Sequence, residues 1–407
     1  MAYAAGEILA GTEDHLAKLR EAWRIMASRE VFDFTGLERS LVLPEAKHED
    51  LDDELAPALY AERLTELALA HLGGSAARHD VFVANRTTAA LVAAMQVLVR
   101  PDSRVVGISP SYTHPAAVRA VRLAGGDFED GGDPAGADLV LMTRLAVTYE
   151  ALPLERIEQT VAGGVPVFLD DAGGARVGPA VLGQPKMLEL GVVAGVTGLD
   201  KYGTTGPRLG LLAGDQALIE RIRARAVELG LEARPMLYPA VVHSLEQYRP
   251  ERVRELVATT NRLAEALSAR LGDWVERTPI AVRLQGEDIL AEAMRRGGAA
   301  SVLAPIEATA ALAMVLLRDH GILTVHFAAV PPGTSALLLK FVAPETLERF
   351  GGAVAFAAAV DASLDELAGL LDSPAELHSL LGRGTSPVNR RRFDRSLQTE
   401  HGESPRS

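Results

Sequence analysis

The sequence predicts an α/β protein: a three-layer α/β/α unit on a mainly parallel seven-stranded sheet, followed by a smaller α+β unit. Three observations carry this prediction. Short apolar runs recur from about residue 80 to residue 213. Amphipathic stretches separate most of them, which is the pattern of βα units around a buried sheet. After Asp215 the short runs give way to long helical patterns.

In chain order, residues 13–30 place Leu16, Leu19, Trp23 and Met26 at helical spacing among charged residues, an amphipathic helix. A second helix covers 56–72 and stops at Gly73-Gly74. The strand candidates are 81–84, 104–109, 127–129, 138–143, 165–170, 192–197 and 209–213, with helices at 88–99, 116–123 and 154–161. Residues 217–229 and 250–271 read as helices, 281–284, 324–328 and 336–341 as strands, and 347–371 as an alanine-rich helix. The expected division is an N-terminal helical segment (1–50), a large ligand-binding unit (51–235), a small α+β unit (236–372) and a flexible, Arg-rich tail (373–407).

Composition narrows the function classes. Of 407 residues, 48% are hydrophobic and 23% charged, a balance that supports a packed core. No window approaches the ~20 apolar residues a membrane helix needs. The N-terminus lacks a basic region followed by an apolar run, so a cytoplasmic location is expected. Without cysteine there is no disulfide, no thiolate metal site and no persulfide sulfur transfer, and no metal is expected. The net charge is −13, and −15 once the residues from Ser373 onward are set aside. Such a body repels a phosphate backbone, so nucleic acid is not an expected partner. The arginines at 390–392 and 395 read as a solvated end.

Ligands of open α/β sheets sit at the carboxyl ends of strands, and here those ends are polar. Lys201 is one of only five lysines against 36 arginines, and it stands between an apolar strand and the glycine-containing stretch 202–208. A desolvated lysine has a lowered pKa and attacks carbonyls. Asp170 ends the strand 165–170, 31 residues earlier, and could hold the ring nitrogen of a pyridine cofactor protonated. Asp171 points to the other face, where it could cap a helix. Thr87 and Thr88 open a helix after the first strand, either as a phosphate cup or as ordinary caps. His114 follows the second strand, placed to lie against a ring.

Together these residues describe a pyridoxal-phosphate site, and the chain resembles the fold-type-I pyridoxal-phosphate enzymes. Within them it is similar to the selenocysteine-synthase-like branch, which includes archaeal pyridoxal-phosphate proteins. The segments Asn85-Arg86-Thr87-Thr88, His114-Pro115, 170–177, Asp200-Lys201, 206–214 and 230–233 carry the likeness, with Phe34-Thr35-Gly36-Leu37 as an N-terminal echo. The resemblance implies an aspartate-aminotransferase-like fold and a cofactor joined to Lys201 as a Schiff base. It also implies Asp170 at the ring nitrogen, His114 over the ring and Ala172 beneath it, with Thr87 and Thr88 at the phosphate. Arg86 and Arg208 become candidates for the phosphate or a substrate anion, Thr197 for the phosphate, and Arg176 and Lys340 for the substrate.

Relatives in that branch often have serine where this chain has Gly198, three residues before the lysine, and again near Gly173 and Gly174. The expected activity is elimination or replacement at the β-carbon of a small amino-acid-like substrate. Aminotransfer is the alternative, and a scaffold without turnover the alternative of another class. A homodimer with the site at its interface is expected.

Overall fold

The computed structural model describes residues 9, 12–38, 47, 49–298, 301, 303–326 and 335–382. Its large sheet has the order β2-β8-β7-β6-β5-β3-β4. These strands are β2 (His79–Ala84), β3 (Arg104–Ile108), β4 (Asp127–Asp130), β5 (Leu139–Thr143), β6 (Val167–Asp170), β7 (Ala194–Gly198) and β8 (Gly210–Asp215); β1 (Phe32–Asp33) lies elsewhere. All neighbours are parallel except that β8 runs antiparallel to both β2 and β7. The predicted fold class is the one observed. β5, β6 and β7 are buried along their whole length, as strands covered on both faces must be.

Helices cover both faces. One core gathers Leu64, Leu69, Val106, Met142, Leu169 and Val241. The other gathers Leu91, Met95, Val121, Leu141, Phe168 and Ile222. In chain order, the first helices are α1 (Thr12–Met26), α2 (Ala56–Leu72), α3 (Thr87–Leu98), α4 (Pro115–Leu123), α5 (Leu154–Ala162) and α6 (Gly174–Val181). Where β7 turns directly into the antiparallel β8, no crossover helix intervenes, and residues 199–209 form a loop at the ligand edge. Lys201 stands in that loop.

The C-terminal sheet has the order β12-β13-β10-β9, with β9 (Glu276–Arg277), β10 (Ala281–Gln285), β12 (Val325–His326) and β13 (Ala336–Lys340). β11 (Ile322–Leu323) pairs instead with β1, in parallel. The N-terminal segment therefore does not stand apart: Leu9 and Phe34 belong to the core formed around the helices Pro305–His320 and Gly352–Leu370. Leu9 N–H donates to buried Glu307 at 2.9 Å, and the Phe34 ring packs at a tilt against Phe356, centroids 4.5 Å apart.

The sequence reading missed the helix Pro305–His320 because all but a few of its residues are buried, leaving no polar face to reveal the period. The expected helix over 347–371 is two, Pro344–Phe350 and Gly352–Leu370, separated where Gly351 takes φ 103°. The expected tail begins too early at 373. Pro374–Leu380 is a helix whose Leu377 and Leu380 join the C-terminal core. Residues 327–328 of the expected strand, and the tail arginines, lie outside the described residues.

Candidate active site

A cavity of about 410 Å³ opens at the carboxyl edge of the large sheet, within the ~300–1,000 Å³ typical of small-molecule sites. Its wall includes Arg86, Thr87, Thr88, His114, Asp170, Ala172, Lys201 and Arg208. The structure thus gathers eight of the expected site residues from four separate segments of chain.

Thr87 and Thr88 are the first residues of α3, and Arg86 before them makes no side-chain cap. The first-turn amides of that helix therefore face a ligand position with their positive dipole end. Arg86 has φ 98° and ψ 154°, a conformation costing about 1–3 kcal/mol for a residue with a side chain. It is held there by backbone contact. A Cβ on Gly210 would come within 2.7 Å of the Arg86 carbonyl oxygen, so only glycine lets β8 approach. Gly198, on the neighbouring strand, lies beside the same helix start: its Cβ would stand 3.5 Å from Thr87 Oγ1.

The loop after β3 is pinned from below. Asp130 accepts from Thr113 Oγ1 at 2.7 Å and from Thr113 N–H at 3.1 Å. His114 then caps α4, its Nδ1 accepting from Ala116 N–H at 3.1 Å. With Nδ1 an acceptor, the neutral ring carries its proton on Nε2. Burial lowers the His114 pKa, against the pull of Asp170.

Asp170 is 4% exposed, and Oδ1 accepts from Ala172 N–H at 3.2 Å. Burial raises its pKa, while His114, the Ala172 amide and Lys201 oppose that rise. Burial lowers the pKa of Lys201, although Asp200 and Asp170 favour its charged form. A tight turn fixes the lysine's backbone: Thr204 Oγ1 accepts from Lys201 N–H at 3.3 Å and donates to Lys201 O at 2.7 Å. Buried Thr143, beside Asp170 in the β5–β6 register, lines the cavity with an Oγ1 that has no hydrogen-bond partner among the described residues.

This donor set fits the pyridoxal phosphate implied by the sequence. It offers a carbonyl-reactive amine, a buried carboxylate that a protonated ring nitrogen would stabilise, an unsatisfied hydroxyl beside it, and a helix start with two threonines.

Three of the expected site residues are not among those lining the cavity. Thr197, Arg176 and Lys340 lie outside the cavity wall. Arg176 is fully buried in α6; its Nη1 donates to Thr197 Oγ1 at 3.2 Å, while its Nε and Nη2 find no hydrogen-bond partner among the described residues. Lys340 sits in the interior strand β13; its Nζ donates to Thr35 O at 3.3 Å and lies 5.5 Å from the Tyr202 ring centre. Asp171 is no helix cap. Its carboxylate forms a fully buried ion pair with Arg144 at 3.0 Å. That pair explains the glycine at 174, where a Cβ would fall 2.3 Å from Asp171 Oδ1.

Sequence reasoning missed Arg119, Thr143, Tyr149 and Tyr202, all in the wall. The two tyrosine hydroxyls are 2.9 Å apart, and Tyr202 stacks on Phe341 at 4.0 Å. Tyr202 directly follows the lysine, a signal available in the sequence; Tyr149 carries no comparable one.

No family model matches the chain. A pyridoxal phosphate-dependent protein of Methanothermobacter thermautotrophicus is 31% identical over 323 residues, covering 77% of this chain and 82% of that one. Another from Methanosphaera stadtmanae is 29% identical over 327 residues, covering 78% and 84%. Among solved structures, pyridoxamine-pyruvate aminotransferase of Mesorhizobium loti superposes with TM-score 0.60 at 13% identity over 86% of this chain and 96% of its own. Serine palmitoyltransferase of Sphingomonas wittichii superposes with TM-score 0.56 at 16% identity over 85% and 84%. Such low identities establish the fold alone. The likeness over most of both chains to the methanogen relatives establishes more: the chain belongs to the UPF0425 family of pyridoxal phosphate-dependent proteins.

Proposed function

We propose that the protein is an enzyme in which Lys201 holds pyridoxal phosphate covalently and the cofactor activates Cα of a small amino-acid-like substrate. One observation carries this reading: Lys201, from the loop after β7, and Asp170, at the end of β6, enter one cavity with the start of α3. When bound, the cofactor supplies an electron sink for the charge left at Cα. The chain's residues do the rest. Asp170 would keep the ring nitrogen protonated, Ala172 and His114 would flank the ring, and Thr87, Thr88, Arg86 and Arg208 would hold the phosphate. Lys201, with its pKa lowered by burial, takes and returns the proton at Cα. Thr197 and Arg176 brace β7 and α6 behind the cofactor.

The reaction we favour is elimination or replacement at the β-carbon, supported by the resemblance to the selenocysteine-synthase-like branch. Aminotransfer is the second reading, favoured by the aminotransferases among the structural neighbours. Residues 51–235 would bind the cofactor, and 236–372 would close over the substrate. A cytoplasmic homodimer is the setting we propose. No helix among the described residues is long and apolar enough to cross a membrane.

The test is spectroscopic. The purified protein loaded with cofactor is expected to be yellow, with a band fixed by borohydride onto a peptide containing Lys201. Lys201→Ala should lose the borohydride product entirely. A product on another lysine overturns the reading. Incubation with amino acid alone separates the two reactions, because only an aminotransferase converts the cofactor stoichiometrically to its amine form.

A further inference from the structure

The cavity is charged unlike the rest of the chain. Against a total of −13, its rim presents Arg86, Arg119 and Arg208, all exposed, while its acids Asp170 and Asp200 are buried. A cleft lined by one sign of charge attracts ligands of the other.

The arginines fall into two groups. Arg86 precedes the threonines of α3, and its backbone touches Gly210 of β8, two residues after Arg208. Arg208 in turn acts electrostatically on Lys201. Both belong with the phosphate cup. Arg119 comes from α4, just beyond His114, and its charge acts on that imidazole. Among the described residues, no hydrogen bond or ion pair ties its guanidinium. It is therefore available to a ligand, and its planar fork suits a carboxylate or phosphate.

A process of elimination points the same way. Of the other cations expected to meet a substrate anion, Arg86 and Arg208 stand with the phosphate cup, while Arg176 and Lys340 lie outside the cavity wall, Lys340 turned to Thr35 and the Tyr202 ring. Resting on the lysine–cofactor reading above, we propose that Arg119 forms an anion subsite distinct from the phosphate cup. It selects amino substrates that carry a carboxylate or phosphate over neutral amines.

The experiment is a spectral titration of the cofactor-loaded protein with a panel of L-amino acids, 2-aminoethyl phosphate and the decarboxylated amines of the same amino acids. The wild type should bind the best anion at least about tenfold more tightly than its neutral amine, the order expected for one charge-assisted pair. Arg119→Ala should weaken the anion by about tenfold or more and close that gap, and Arg119→Lys should recover part of it. Whichever probe loses more, carboxylate or phosphate, identifies the natural group. Arg122→Ala, on the same helix and outside the cavity, is the control and should leave both titrations unmoved.

A wild type that does not discriminate, or that responds to none of the probes, overturns the subsite, as does an Arg119→Ala protein with unchanged affinities. Failure of the underlying reading looks different, since then the wild type forms no borohydride-fixed product on Lys201 at all.

Discussion

Four of the five non-glycine residues with positive φ among the described residues are Arg86, Tyr149, Tyr202 and Phe341. The first three line the cavity, and the fourth stacks on Tyr202. The core around the helix Pro305–His320 is of another kind: Ala308–Leu317 is a continuous run of buried small and aliphatic side chains, capped by Gly321 at φ 69°. One region keeps costly backbone conformations, and among the described residues the other keeps none. Strain of about 1–3 kcal/mol per residue persists only where neighbours over-determine it. At the cavity those neighbours are the close approach at Gly210, the Tyr149–Tyr202 hydroxyl contact and the stacked Tyr202 and Phe341 rings.

Mutations in the two regions should therefore fail differently. Gly174→Ser drives a side chain into the Arg144–Asp171 pair. It should cost about 3–5 kcal/mol, as a disrupted buried pair does, and should weaken cofactor retention along with stability. Leu312→Ala, at a fully buried position of the helix Pro305–His320, should cost about 2–5 kcal/mol for the cavity it leaves, yet leave the cofactor band of the folded protein unchanged. Denaturant midpoints and visible spectra on both variants decide this. Equal loss of the band in both would erase the distinction.

A smaller effect concerns pH. Burial pushes the Asp171 carboxyl up from its usual 3.8 to about 6, with Arg144 opposing. Between those values the folded chain keeps a proton that the unfolded chain has released, so this group's contribution to stability falls as pH rises from about 4 to about 6. Asp171→Asn should flatten that part of the stability profile, measured by denaturant midpoint across the range. An unaltered slope would mean that Asp171 is not the group titrating in this range. The smallest effect belongs to Gly198→Ser. Its Cβ would stand 3.3 Å from Asp200 Oδ1 and 3.5 Å from Thr87 Oγ1, so the Asp200 carboxylate must yield by a few tenths of an ångström, and one added hydroxyl at the helix start should slow cofactor release by up to about tenfold.

Much of the cavity edge is legible in the sequence because strand ends are short and ordered: Thr87, His114, Asp170 and Lys201 each follow an apolar run. What is not legible depends on packing across the chain. Arg176 and Lys340 look like free cations until the fold buries them. Arg119 looks like an ordinary charge on an amphipathic helix until the cavity opens beside it. The helix Pro305–His320 hides because full burial removes the polar face that would mark its turns.

The pairing of β1 with β11 joins Phe32 to Ile322. During synthesis the first strand must wait for nearly three hundred further residues before its partner leaves the ribosome. Contacts so distant in sequence form slowly, and segments waiting with exposed apolar groups invite misassembly. Phe32 and Phe34 are such groups, so the nascent chain should depend on chaperones more than its large sheet alone would suggest, and removing the first forty residues should trap the C-terminal core rather than the cofactor cavity in an incomplete state.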